Sequence, residues 1–189
     1  MSSINRIRKI TYITLILLAV LFNLTGCSSK ISETKTDEVK DSDNPQIGLS
    51  LDSYIIERWE RDRDVFVATA KELGADINVQ SANGDIELQI SQIEYFIDKK
   101  VDVIVVVAID SDKLTDVVKK AKDNGIHVIA YDRLISNANV DMYISFDNIK
   151  VGTMMGEEIA SHYKNKKVIM ICGAPTDSHV EMVNDGFEG

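Results

Sequence analysis

The chain has 189 residues, enough for one domain and part of another, with an ordinary globular composition of 44% hydrophobic and 27% charged residues. Its formal charge of −9 becomes −12 once the three amino-terminal cations Arg6, Arg8 and Lys9 are set aside. A surface this acidic repels phosphate backbones and argues against nucleic-acid binding.

The chain opens on Arg6, Arg8 and Lys9, followed by an apolar stretch over 10–22 and then Leu24-Thr25-Gly26-Cys27. A positive region, a short apolar region and small residues before a cut site describe a secretory signal peptide over residues 1–26. Leu24 to Cys27 is similar to the bacterial lipobox, which makes Cys27 the expected site of lipidation and the anchor to the membrane. The alternative is an uncleaved anchor, and the apolar run falls short of the ~20 residues that span a bilayer. Both readings put the remainder outside the cytoplasm. Residues 27–44, rich in Ser, Lys, Asp, Glu and Thr, read as a flexible tether. With Cys27 lipidated, Cys172 has no disulfide partner, and its place after Val168-Ile169-Met170-Ile171 predicts a small buried hydrophobe.

From Gln46 onward strand and helix alternate. Ile47 to Leu51 reads as a strand, and about Glu57 to Leu73 as a helix with Trp59, Phe66, Ala70 and Leu73 near one face, stopped by Gly74. Ile77 and Val79 mark the second strand, and Ser81 to Gly84 a turn. Ile86, Ile90, Ile93 and Ile97 form a helical stripe. Val101 to Ile109 is almost wholly aliphatic, as in a strand buried on both faces of a parallel sheet. Leu114, Val117, Val118 and Ala121 mark the next helix, closed by Asn124-Gly125. Val128 to Tyr131 is the fourth strand and Met142 to Ser145 the fifth; Val151 to Tyr163 is helical, and Val168 to Cys172 is a further strand. Such alternation predicts an α/β fold with a doubly wound parallel sheet.

In a parallel sheet the residues that follow each strand share one rim, where open α/β sheets bind ligands. Here they are Asp52 and Ser53, then Ser81, Asn83 and Asp85, then Asp110, Ser111 and Asp112, then Asp132-Arg133, then Asp147-Asn148. Asp, Ser and Asn are good helix amino-terminal caps, and that reading is taken for Asp85 and Asp112. Arg58-Trp59 and Asp132-Arg133 need another explanation, because Arg and Trp cap nothing. A carboxylate, two guanidinium groups and an indole suit a neutral polyhydroxyl ligand, whose hydroxyls donate and accept at once and whose apolar ring face stacks on an aromatic. Charge-assisted hydrogen bonds contribute roughly 1.5–3 kcal/mol each.

Four segments then resemble a known family: Glu57-Arg58-Trp59, Gln80 to Gly84, Ala130 to Arg133 and Tyr143 to Asn148. The resemblance is to the D-xylose-binding proteins of bacterial sugar ABC transporters, within the ribose-type periplasmic-binding family, and runs from about Gln46 to Pro175. It implies the type I fold, two doubly wound lobes joined by three crossovers that close on a sugar. Residues 45–146 would be the first lobe, nearly complete, and 147–189 the start of a second. It implies sugar contacts from Arg58 and Arg133 as donors, Asp132 as acceptor, Trp59 as stacking platform and Asp177 from the second lobe, with Asp147 and Asn148 near the first crossover. It implies D-xylose or a related monosaccharide as ligand, no cofactor, and an ABC permease as partner; a membrane sensor kinase is the alternative partner. His179-Val180 stands where the family usually shows Asn-Ala, so His179 is an altered second-lobe contact whose charge changes near neutral pH. The family continues well beyond the position of Gly189. The 189-residue chain is therefore expected to bind sugar poorly and to be disordered or prone to aggregate after Asp147.

An enzyme is disfavoured: the rim carboxylates lie beside Arg, which lowers their pKa and spoils them as acids. His127, His162 and His179 have no metal or triad spacing, and no phosphate loop is present. A sugar-responsive repressor would need a DNA-binding helix pair where the signal peptide stands.

Overall fold

The computed structural model describes residues 43–189. The expected signal peptide, the expected lipidation site Cys27 and most of the expected tether lie outside the described residues. Five strands, β1 (Gln46–Leu51), β2 (Asp76–Ser81), β3 (Val103–Val106), β4 (His127–Tyr131) and β5 (Met142–Ile144), form one sheet in the order β2-β1-β3-β4-β5. Every pairing is parallel, with Leu49 beside both Val79 and Val105, Val105 beside Ile129, and Ala130 beside Tyr143. Three helices connect them: α1 (Glu57–Glu72), α2 (Ile86–Asp98) and α3 (Thr115–Asp123). This is the α/β, doubly wound arrangement that the alternation of elements predicts.

Side-chain alternation along the strands sorts the core into two layers. Ile104, Val106, Val128 and Ala130 face α2 and α3, packing on Ile93, Phe96, Ile97, Val117, Val118 and Ala121. Leu49, Leu51, Val105 and Val107 face the other way, onto Trp59 of α1. Gly48 makes the first layer possible: a Cβ there would stand 2.6 Å from the Phe96 ring, so the ring lies directly on the β1 backbone.

Two polar residues in α2 do a job that the isoleucine stripe conceals. Gln89, fully buried, donates to Val107 O (2.9 Å) and accepts from Ile109 N (3.0 Å), and Gln92 accepts from Ser50 Oγ (2.8 Å). The two Gln89 bonds satisfy the backbone of the segment leaving β3, which would otherwise be buried without partners, and the Gln92 bond does the same for the buried Ser50 hydroxyl of β1. The Gln89 bonds fix where the carboxyl end of β3 points.

Asp85 caps α2 as expected, accepting from Glu87 N (2.9 Å) and Leu88 N (3.2 Å). Asp112 does not cap α3. The acceptor is Asp110, which takes Asp112 N and Lys113 N, both at 3.0 Å, in a turn ahead of the helix; α3 itself starts later, after Leu114, with no side-chain cap.

After β5 come α4 (Asn148–His162) and α5 (Ser178–Glu188). The expected disorder after Asp147 is therefore replaced by two helices, each with an Asp cap. Their backbones touch: a Cβ on Gly152 would stand 2.1 Å from Val183 O, and one on Gly186 would stand 1.9 Å from Ile149 O. The expected strand over 168–172 is absent. A strand exists by pairing, and no described strand lies beside this stretch, so Ile169 and Ile171 are 88% and 94% exposed. Cys172 is correspondingly exposed rather than buried, with its thiol 3.5 Å from Asn184 Oδ1. No helix among the described residues is long and apolar enough to cross a membrane.

Candidate functional site

The parallel sheet sends every strand's carboxyl end to one rim, and β4 ends there in an unusual turn. Asp132 has φ +67°, and Arg133 N donates back to Tyr131 O (2.8 Å), closing a three-residue turn. Turns of that kind are rare and strained, and strained backbone of this sort clusters at ligand sites. Meanwhile Asp132 N still donates to Ile144 O (2.7 Å), so the turn begins while β4 is tied to β5.

The turn sends its two charged side chains to different partners. Asp132, 4% exposed, accepts from Arg58 Nη2 at 2.7 Å. Arg58 Nε in turn donates to Asp62 (3.2 Å), and Tyr131 Oη donates to the same Asp62 oxygen (2.9 Å). Burial opposes the charge of Arg58, but the hydrogen bond and the negative charge of Asp132 outweigh it, and the guanidinium is held above its ordinary pKa. Burial, and then the bond to Asp62, push the Tyr131 phenol up.

Arg133 reaches three segments. Its Nη1 donates to Asp52 Oδ2 (2.8 Å) beyond β1 and to Ala108 O (2.9 Å) beyond β3. Its Nε lies 2.9 Å from Asp177 Oδ2, a charge contact not aligned as a hydrogen bond. Asp177 also caps α5 through His179 N (2.9 Å). His179 then packs against the strand end: Nε2 meets Asp132 O and lies 3.1 Å from Ser145 Oγ, while Nδ1 is 3.6 Å from Asp132 Oδ2.

Of the residues expected at the site, Arg58, Trp59, Asp132, Arg133, Asp177 and His179 come together at this rim. Asn148 joins at its margin, buried, with Nδ2 donating to Ser145 Oγ (3.3 Å). Asp147 is exposed and caps α4 by accepting from Lys150 N (2.9 Å). Trp59 corrects one expectation. It is 2% exposed, set edge-on to Tyr131 with ring centroids 6.4 Å apart, and the Arg58 guanidinium lies 4.6 Å from its ring centroid. The indole offers no open face in this arrangement, because the second core layer and Arg58 already cover it.

Three participants escape a reading by sequence. Asp52 stands on the rim list, yet nothing local distinguishes it from a cap. Asp62 is one acid among many on α1. Phe146 is 67% exposed, and the Arg58 guanidinium lies 5.6 Å from its ring; an aromatic directly after a strand is the signal that could have found it.

The rim thus offers carboxylates and guanidinium groups already paired with one another. A hydroxyl can take one place in each pair, donating to Asp132 and accepting from Arg58 or Arg133. Among the described residues no group of three His, Cys, Asp or Glu side chains could hold a metal ion.

A family model described as a periplasmic binding protein domain matches residues 47–189. A D-xylose-binding periplasmic protein of Haemophilus influenzae is 45% identical over 141 residues, covering 75% of this chain and 42% of the relative. Among solved structures, an ABC transporter solute binding protein from Clostridium phytofermentans with bound β-D-glucose is 32% identical with a TM-score of 0.70, covering 75% of this chain and 46% of that one. The fructose binding periplasmic domain of a hybrid two-component system is 27% identical with a TM-score of 0.70, covering 76% and 48%. The chain spans less than half the length of each of these proteins.

Proposed function

This chain belongs to the periplasmic binding protein domain family, and from that premise we propose that it is the ligand-binding part of an extracytoplasmic receptor for D-xylose or a closely related monosaccharide. Residues 45–146 form one lobe, and α4 and α5 begin a second. Closure of the two around the sugar presents it to an ABC permease, and lipidated Cys27 keeps the receptor at the membrane.

The observation that carries this reading is the buried Asp132 carboxylate with Arg58 on one oxygen, next to Arg133 held by Asp52 and Asp177. Arg58 stands on α1, and Asp132 and Arg133 stand in a turn tied to Tyr131 O and Ile144 O, with their side chains already paired, so the ordering cost is reduced when a ligand replaces one partner of a pair. Asp177 enters from α5, so a sugar at the rim would be held from both segments, and its binding favours the closed state. The name of the 45% identical relative supports a pentose.

Calorimetric titration of the receptor with both lobes present, against a panel of pentoses and hexoses, tests this. D-xylose gives the largest heat, and Asp132→Ala weakens it about 100-fold, because the hydroxyl loses its acceptor and Arg58 is left without its carboxylate. No heat from any monosaccharide, or unchanged affinity in Asp132→Ala, removes the assignment.

The likeness to the fructose binding domain of a hybrid two-component system favours one second reading: the same receptor reporting to a membrane sensor kinase. Closure can signal as well as deliver. Neighbouring genes for a permease and an ATPase, against a histidine kinase, separate the two.

A further inference from the structure

Arg58 and Asp62 stand one helical turn apart on α1, where side chains four residues apart meet. Arg58 Nε donates to Asp62 Oδ2 at 3.2 Å, while Nη2 donates to Asp132 Oδ1 at 2.7 Å. Exposed ion pairs on a helix stabilise little, and Arg63–Asp64 on the same helix is one of these, with the Asp64 side chain 69% exposed. Asp62 is different. Its side chain is 26% exposed, and the oxygen that takes Arg58 also accepts from Tyr131 Oη at 2.9 Å. Tyr131 is the last residue of β4 and precedes Asp132, so one carboxylate oxygen ties the helix to the strand that carries the buried acceptor.

This arrangement fixes how the guanidinium is turned. Nε is the nitrogen bonded to the side-chain stem, and rotation about the last single bond of that stem sets the direction of its N–H. The N–H donors of a guanidinium are rigid with respect to one another, so an acceptor on Nε sets the plane of the whole fork. Asp132 alone holds one terminal nitrogen and leaves the plane free to swing about it. Asp62 removes that swing. The guanidinium carbon then lies 4.6 Å from the Trp59 ring centroid and 5.6 Å from that of Phe146. When a ligand hydroxyl takes the place of Arg58 on Asp132, the bond to Asp62 persists, and the donor stays where the ligand needs it.

We propose that Asp62 is a positioning residue for this rim: anchored by Tyr131, it holds Arg58 by Nε so that Nη2 stays at Asp132 and at a ligand hydroxyl. Asp62 acts through Arg58 and touches no ligand itself. The proposal rests on reading the rim as the sugar site.

The first arm of the test titrates D-xylose calorimetrically into the receptor with both lobes present. Asp62→Ala weakens binding about tenfold, the worth of one charge-assisted hydrogen bond. Tyr131→Phe, which removes only the hydroxyl, weakens it about threefold. Asp64→Ala, an equal loss of charge from the same helix, leaves it unchanged. In an Arg58→Ala background Asp62→Ala has no further effect, as additivity fails for a residue that acts through another. Unchanged affinity in Asp62→Ala, a loss that Asp64→Ala shares, or a loss that persists in the Arg58→Ala background overturns the proposal. The second arm needs no sugar. Trp59 is the only tryptophan of the 189-residue chain, so its fluorescence reports the guanidinium beside it. Asp62→Ala shifts that emission when Arg58 is present and not in the Arg58→Ala background. An equal shift in both backgrounds overturns the hold on Arg58. Absence of xylose binding by the wild-type receptor, together with an Arg58-dependent shift, removes the sugar reading alone and leaves that hold standing.

Discussion

The sheet with α1 to α3 and the pair α4–α5 are built on different physical principles. In the first, alternating apolar side chains are buried on both faces of β3, and hydrophobic burial supplies the stability. In the second, two helices meet backbone to backbone through Gly152 and Gly186, while Ile149, Met154, Ile169 and Ile171 remain largely exposed. The contacts that join the amino end of α5 to the rim are polar: Arg133 to Asp177, Leu134 N to Ser178 Oγ (3.0 Å), Ser111 N to Thr176 O (3.2 Å), and His179 to Asp132. Apolar burial is insensitive to direction, whereas these contacts are made or lost by small rotations. The difference teaches where motion can occur at modest cost. A seam of replaceable polar contacts between a rigid sheet and a lightly held helix pair is what a ligand can reorganise.

The contrast is broken most forcefully from the sheet side. Phe96→Ala removes a fully buried ring that lies against the Gly48 backbone, and it lowers unfolding free energy by about 3–5 kcal/mol. Denaturant titration reads the loss, and amides of β1 and β3 exchange faster along with those of α4 and α5. Gly186→Ala is next. Its Cβ would meet Ile149 O, a backbone atom that no side-chain rotation can move aside, so α4 and α5 must separate at a cost of about 1–3 kcal/mol. Hydrogen exchange then rises over residues 148–188 while Val103–Val106 keeps its protection. Equal loss of protection in both regions would show one cooperative unit and end the distinction.

Sequence legibility follows the same division. The five parallel strands and their connecting helices were readable because β-branched runs and helical stripes are local patterns. Arg58 and Arg133 stood out because an arginine caps nothing, and Asp132 because it adjoins one at the end of an apolar strand. Gln89 and Gln92 did not, since a glutamine between isoleucines looks like helix surface until the backbone of Val107 and Ile109 is in place to receive Gln89 and the Ser50 hydroxyl to receive Gln92. Val168 to Cys172 misled for the opposite reason: the apolar run is a sound local signal, but a strand needs a neighbour. Trp59 has the right residue type at the right rim, yet whether an indole is open or covered depends on packing that the sequence does not display. Asp110 and Asp112, two residues apart, are equally good acceptors by type, and the turn ahead of α3, whose amides meet Asp110, decides between them.

The smallest effect probes the sheet edge that faces away from the rim. Asp141 precedes β5 and accepts from Lys122 Nζ (2.8 Å) and from Val128 N (2.8 Å) of β4, with His127 Nδ1 3.6 Å away. The hydrogen bond from Lys122, and then that from Val128, hold its carboxyl at about 2, below its ordinary 3.8. A carboxyl depressed in the folded state stabilises it fully above the unfolded value, and that contribution is lost as pH falls from about 4 toward 2. The Asp141 side chain is 36% exposed, so solvent screening keeps its share below about 1 kcal/mol. Asp141→Asn therefore costs little at pH 2 and most of that share near neutrality, and acid unfolding of the variant begins from a lower plateau. Because Asp141 ties β4 to β5 and not to α5, the variant leaves exchange over residues 178–188 unchanged. Faster exchange there would mean that the two regions are coupled through β5, not only through the polar seam at the rim.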